Sequence, residues 1–149
     1  MITVIIIKNA KLLLRYIKVT IKILIVDDSQ MNRDSLKDNL ASIGFLNVET
    51  AADGEIAVRK AEDAIKVGVA YELIFLDWHM PVLDGFEALK LIRAMKPMKN
   101  CFIAMLSAEN ESENIKMALA AGANIFINKP FNQAKIKVFV ENLLKTRKA

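Results

Sequence analysis

The sequence predicts an α/β fold built on a doubly wound, five-stranded parallel sheet. Three observations predict it. From Ile21 onward, short apolar runs alternate with longer amphipathic ones, the pattern of strands joined by crossover helices. Four of the five short runs end on a polar residue of definite type, namely Asp27-Asp28, Asp77, Ser107 and Lys129. The chain has 149 residues, 54% of them apolar, and a mean hydropathy of +0.28, which suits one domain whose central strands are covered on both faces.

Each element follows from local pattern. Ile23-Leu24-Ile25-Val26 is a β-branched run and reads as the first strand. A helix follows over 31–43 and stops at Gly44, a helix-ending residue. Residues 46–50 read as a weaker strand, and 54–67 as a helix closed by Gly68. Leu73-Ile74-Phe75-Leu76 is a strand ending at Asp77, with a helix over 86–95 before Pro97. The last units are a strand over 102–106, a helix over 111–121 closed by Gly122, a strand over 125–127 and a helix over 133–145. Five such units with short, right-handed crossovers favour an open, flavodoxin-like (βα)5 sheet, since a closed barrel needs eight. No repeat or low-complexity linker divides this body.

Composition excludes several classes. One cysteine (Cys101) and one histidine (His79) can make neither an internal disulfide nor a standard structural zinc site. A reducing, cytoplasmic setting is expected. The chain contains no GxGxxG, GxxxxGK[ST] or GxSxG, which removes the main support for dinucleotide, P-loop and serine-hydrolase chemistry. The net charge of +4 is local: Lys8, Lys11, Arg15 and Lys18 lie in the first twenty residues, which hold no acid. The remaining body carries 17 basic and 17 acidic residues and offers no electrostatic footprint for nucleic acid.

In an open α/β sheet, ligands bind beyond the carboxyl ends of the strands, so the polar strand ends are the candidate site. Any one of them alone is ordinary turn or cap chemistry. Together, three carboxylates, a hydroxyl and an ammonium converge on one crevice. Crowded carboxylates repel, and a hard divalent cation with oxygen ligands relieves that repulsion; Mg²⁺ takes one or two carboxylates plus a phosphate oxygen. A lysine facing the same point awaits an anionic guest. The expected guest is a phosphoryl group, with Asp77 as its nucleophilic acceptor.

At this point the chain resembles the receiver domain of two-component response regulators. The matching pieces are Lys22-Ile-Leu-Ile-Val-Asp-Asp28, Leu73-Ile-Phe-Leu-Asp77 with Met80-Pro81 and Asp84-Gly85, Met105-Leu-Ser-Ala108, and Asn128-Lys129-Pro130-Phe131. The resemblance implies that Asp77 is phosphorylated by a sensor histidine kinase or a phosphotransfer protein. It implies that Asp28 ligates Mg²⁺ directly, with Asp27 acting beside it through water and the backbone carbonyl of His79 completing the set. Ser107 and Lys129 would hold the phosphoryl oxygens, Phe126 would be the aromatic switch, and Lys129-Pro130 would be cis. The protein would be a phosphoacceptor in signal transduction rather than an enzyme, assisting its own phosphorylation and dephosphorylation. With one helix after Pro130, the expectation is a stand-alone receiver, cytoplasmic, without direct nucleic-acid contact. Its output would run to a target protein through the fourth helix, fifth strand and fifth helix of the alternating body.

Three rivals remain. A degenerate receiver acting as a constitutive interaction module usually lacks an acid or the lysine, and none is missing. A haloacid-dehalogenase-like phosphatase needs a second acid two residues after the first, where this chain has His79. A nucleotide binder wants a Gly/Ser/Thr-rich loop after the first strand, where Asp27-Asp28-Ser29 stands.

Residues 1–20 lie outside the resemblance, which leaves 21–147 as the receiver. On a helical wheel Lys8, Lys11, Arg15 and Lys18 share one face, with Ile6, Ala10, Leu13, Leu14 and Ile17 opposite. That describes a basic amphipathic extension able to meet an anionic membrane or a partner. The favoured reading is a bystander segment, with membrane contact the lesser one. Of the remaining residues, Asp53-Gly54 and Asp84-Gly85 read as turns before helices, the seven methionines mainly as core filler, Trp78 as a surface ring beside the site, and Cys101 as inert.

Overall fold

The computed structural model describes residues 9–108 and 111–147. Its elements are α1 (Ala10–Thr20), β1 (Ile23–Val26), α2 (Gln30–Ser42), β2 (Val48–Ala51), α3 (Gly54–Lys66), β3 (Leu73–Asp77), α4 (Gly85–Arg93), a 3₁₀ turn (Lys96–Met98), β4 (Phe102–Ser107), α5 (Ser112–Ala120), β5 (Ile125–Asn128) and α6 (Gln133–Arg147). The five strands form one parallel sheet in the order β2-β1-β3-β4-β5. The α/β class and the doubly wound order are those read from the sequence.

Strand alternation sorts the core into two layers. Leu24, Val26, Ile74, Leu76, Ile103 and Met105 face Ala57 and Ala61 of α3, Leu89 and Ile92 of α4, and Ala118 of α5. Ile23, Ile25, Leu73, Phe75, Leu106 and Ile127 face Leu36 and Leu40 of α2 and Ile136, Val140 and Leu143 of α6. β1 and β3 are buried throughout, whereas β2 and β5 are only partly covered, as their places at the two sheet edges require.

Gly44 carries φ +104° just after α2, a conformation that favours glycine, and lets the Phe45 N–H reach the Leu40 carbonyl at 2.9 Å. β2 therefore starts at Val48, two residues later than the apolar pattern alone indicates. α4 ends at Arg93, earlier than read, as the backbone tightens to an i→i−3 bond from the Met95 N–H to the Ile92 carbonyl ahead of Pro97; the Arg93 side chain donates to the carbonyls of Gly122 (2.8 Å) and Met98 (2.7 Å) and to Asn124 Oδ1 (2.7 Å). The methionines split: Met98 and Met105 are core residues, whereas Met31 and Met117 stand on the surface, where helix starts and outer faces place them.

α1 is docked. Asn9 caps it, accepting from the Lys11 and Leu12 N–H groups, and Leu14 and Ile17 pack on the layer formed by α2 and α6. Lys18, which the wheel assigns to the solvated basic face, donates to the Ile43 carbonyl at 3.1 Å and lies 5.7 Å from the Phe45 ring centre. Ile21, wholly buried, joins α1 to β1 with no linker. Lys8 and Ile6 lie outside the described residues. Replacing half-buried Ile17 with alanine should cost about 1–2 kcal/mol, seen as a melting point lower by about 2–6 °C. An unchanged melt would show that α1 is not packed in solution.

Candidate functional site

Parallel register assembles the site. Val26 pairs with Leu76, Asp77 with Leu106, and Ser107 with Asn128, so Asp27-Asp28, Asp77, Ser107 and Lys129 all emerge at one edge of the sheet. β1 is followed by β2 on one side and β3 on the other, and this reversal opens the crevice where Asp27 and Asp77 face each other.

Lys129 holds the two buried acids. Its ammonium lies 3.0 Å from Asp27 Oδ2 and 3.1 Å from Asp77 Oδ1. Asp27 also accepts from the Ser29 N–H (2.9 Å) and the Asn32 amide (3.3 Å), while its backbone carbonyl accepts from Arg33 (2.8 Å). Asp28 stays exposed. Carboxylate oxygens of Asp27, Asp28 and Asp77 lie within 4.8 Å of one another, the one such cluster among the described residues.

The electrostatics follow from that crowding. Burial pushes the Asp77 carboxyl above its usual range, and Asp27 and Asp28 add to the rise, which Lys129 only partly offsets. For Lys129, burial works against the charged form, but the hydrogen bond to Asp27 and the charges of Asp77 and Asp27 outweigh it and raise its pKa. Its ion pairs therefore contribute stability that persists through neutral pH and is lost only as pH climbs past the ordinary lysine value of about 10.4. Three carboxylates against one ammonium leave an excess of negative charge on oxygen donors alone. That donor set fits a hard cation such as Mg²⁺, with Asp27, Asp28 and Asp77 as the groups able to hold it.

Two glycines let the backbone close around the acids. A Cβ on Gly85 would collide with the Asp77 carbonyl oxygen, and one on Gly54 with the Leu83 carbonyl oxygen. The Asp-Gly pairs thus do more than turn: Asp53 and Asp84 cap α3 and α4, and each following glycine admits a close strand-to-loop approach. Between them Val82 carries φ +71°, and the Leu83 N–H donates to the Pro81 carbonyl at 2.8 Å, a strained three-residue γ-turn. A β-branched residue in that conformation costs about 1–3 kcal/mol.

Ser107 is buried at the end of β4, and its carbonyl accepts from the Lys129 N–H at 2.8 Å. Phe126 is half-buried on β5 and shares the α3–α4–α5 layer with Trp78. Trp78 corrects the surface reading. It is only 8% exposed, stacked on Phe86 at 5.2 Å and edge-on to Phe126 at 6.3 Å. Strand alternation persists one residue past Asp77 and turns the indole into the layer opposite the one Asp77 faces. His79 is exposed beside it. The Lys129-Pro130 bond is cis. Cys101 is a buried free thiol whose pKa burial pushes up to about 12, consistent with inertness.

Asn32 and Arg33, which fix Asp27, escape sequence reading because their role depends on the first turn of α2 starting at Gln30. A cavity of about 410 Å³ opens beside Asp27 and Lys129, walled by Leu36 and Asn39 of α2 and by Pro130 and Phe131.

Comparison with known proteins points the same way. A family model described as the response regulator receiver domain matches residues 23–141. Chemotaxis protein CheY-3 of Vibrio cholerae is 39% identical over 116 residues, 78% of this chain and 85% of that protein. The osmosensing histidine protein kinase SLN1 of Saccharomyces cerevisiae is 34% identical over 121 residues, which is 81% of this chain but 10% of the kinase. Among solved structures, the receiver domain of a Pseudomonas aeruginosa sensor histidine kinase, with a magnesium ion in its active-site cleft, superposes with a TM-score of 0.71 at 33% identity, covering 81% of this chain and 94% of that one.

The raised Asp77 pKa has a measurable consequence. An acid held more tightly protonated in the folded state destabilises it as pH rises from about 3.9 through the raised value. Asp77→Asn should therefore be more stable than the wild type at neutral pH in urea unfolding, with the difference vanishing in acid. Added Mg²⁺ should narrow the neutral gap by stabilising the wild type more than the variant, which keeps two of the three carboxylates. A variant less stable at neutral pH would contradict the assigned crowding.

Proposed function

The chain belongs to the response regulator receiver family of two-component signalling, and on that premise we propose that Asp77 is its phosphoryl acceptor. One observation carries the reading: a single ammonium bridges the buried Asp27 and Asp77 beside a third, exposed carboxylate. A phosphohistidine of a sensor kinase or phosphotransfer protein would be the donor. An Asp77 oxygen attacks phosphorus, the nitrogen–phosphorus bond breaks, and an acyl phosphate forms while the imidazole leaves with the electron pair.

The chain's own groups fit that step. Lys129 already sits at Asp77 and can pass to a phosphoryl oxygen while keeping its contact with Asp27. Ser107 offers a hydroxyl at the neighbouring strand end. Asp27, Asp28, Asp77 and the His79 carbonyl would hold Mg²⁺, which supplies positive charge to the phosphoryl oxygens when bound. The same set would later admit water, so that the protein assists its own dephosphorylation.

Output would follow from displacement of Ser107. Phe126 lies two residues before Asn128, the strand partner of Ser107, on the same sheet face, and could fill space that the hydroxyl leaves. The surface of α5, β5 and α6 would then shift between two arrangements and meet a downstream protein. Residues 21–147 would form this unit, working in the cytoplasm.

Incubation with acetyl phosphate and Mg²⁺ should add one phosphoryl group by intact mass, and Asp77→Asn should abolish it. Equal labelling of that variant would end the assignment, and a wild type that takes no label would favour the constitutive interaction module. Ser107→Ala should still be labelled, but its amide shift changes around Phe126 should shrink to less than about half of the wild-type changes, because a ligand moves an equilibrium only by its differential contacts. Undiminished shifts would remove the hydroxyl from the coupling.

A further inference from the structure

α1 has two apolar faces, and docking uses one of them. Leu14 and Ile17 turn inward, while Leu12, Tyr16 and Val19, at helical spacing on the other side, are 43%, 53% and 43% exposed. Lys11 and Arg15 are also exposed and border that outward stripe. Lys18 has left the basic face to bind the Ile43 carbonyl, so the charge that remains outward lies directly beside the apolar stripe.

We propose that this outer face of α1 binds an anionic lipid bilayer surface. Charge argues for an anionic occupant. No acidic residue precedes Asp27, whereas the chain from residue 21 onward is balanced at 17 basic and 17 acidic residues. Apolarity argues for lipid over an acidic protein. The sequence immediately before α1, residues 1–7, carries no charged side chain and contains Ile2, Val4, Ile5, Ile6 and Ile7, with Lys8 between it and the helix. Apolar residues beside a basic helix face, with a tyrosine at the boundary, match the headgroup–acyl interface, and neither signal alone suffices for binding. No described helix is long and apolar enough to cross a membrane, and the exposed stripe of α1 is the surface proposed to meet the bilayer.

The placement suits a tether. α1 joins the sheet at the start of β1, and the acid cluster lies at its end, four residues away, roughly 13 Å along the strand. A chain lying on a bilayer through α1 keeps its acidic crevice at the opposite edge of the sheet. The proposal stands whether or not Asp77 accepts a phosphoryl group.

Sedimentation of the full chain with vesicles tests it. The wild type should partition onto phosphatidylcholine–phosphatidylglycerol vesicles, weakly or not at all onto phosphatidylcholine alone, and should be released as salt rises. Lys11→Glu with Arg15→Glu should weaken binding by about tenfold or more, and Leu12→Ser with Tyr16→Ser should weaken it by a similar factor. All four positions are exposed, so the buried Trp78 should show wild-type emission in both variants, and the salt titration reads charge dependence without any substitution. Failure of the wild type to bind anionic vesicles, or either variant binding like the wild type, overturns the proposal. So does retention on an acidic protein matrix without retention on vesicles.

Discussion

One ammonium shared by two buried carboxylates is the constraint on which the site depends. Lys129 and Asp27 are 102 positions apart in the chain and meet at 3.0 Å only because β1, β3, β4 and β5 end in register. The arrangement is not an inert buried ion pair. One cation faces two buried acids and a third in water, so the crevice keeps a negative excess that burial sharpens, as the raised Asp77 pKa records. The charges of such a site are unbalanced, and added positive charge relieves the imbalance.

The surroundings serve to keep that tension in place. Asp27 is pinned through its side chain by Asn32 and the Ser29 amide and through its carbonyl by Arg33. Asp77 is pinned by Gly85, whose missing side chain leaves room for the Asp77 carbonyl, and by the 2.7 Å bond that the Gly85 N–H donates to the Trp78 carbonyl. The strained turn at Val82 belongs to the same loop. Strain of this kind persists where surrounding bonds over-determine the backbone, and here they do.

Much of this was legible in the sequence. Apolar runs ending in Asp27-Asp28, Asp77, Ser107 and Lys129 name the strands and the site together, because in a parallel sheet every strand delivers its end to the same edge. Helix stops at Gly44, Gly68 and Gly122 were equally plain. What stayed hidden depends on distance rather than pattern. For Trp78, adjacency to the polar end of a strand suggests solvent, whereas alternation carries the ring into the core against Phe86. Lys18 looked like part of a solvated basic face until the chain around Ile43 and Phe45 provided a carbonyl and a ring for it. Arg93 ties the end of α4 to the 3₁₀ turn through Met98 and to the loop before β5 through Gly122 and Asn124, contacts that no local pattern announces.

The neighbouring pair Asp77 and Trp78 has a mechanical meaning. A strand points successive side chains to opposite sides, so the anionic crevice and the aromatic stack of Phe86, Trp78 and Phe126 are separated by a single peptide unit. The Trp78 ring lies at 5° to Phe86, so a turn of that peptide unit as a whole would carry the Asp77 carboxylate and the indole together. The charged crevice and the dry layer therefore meet at one link of the backbone.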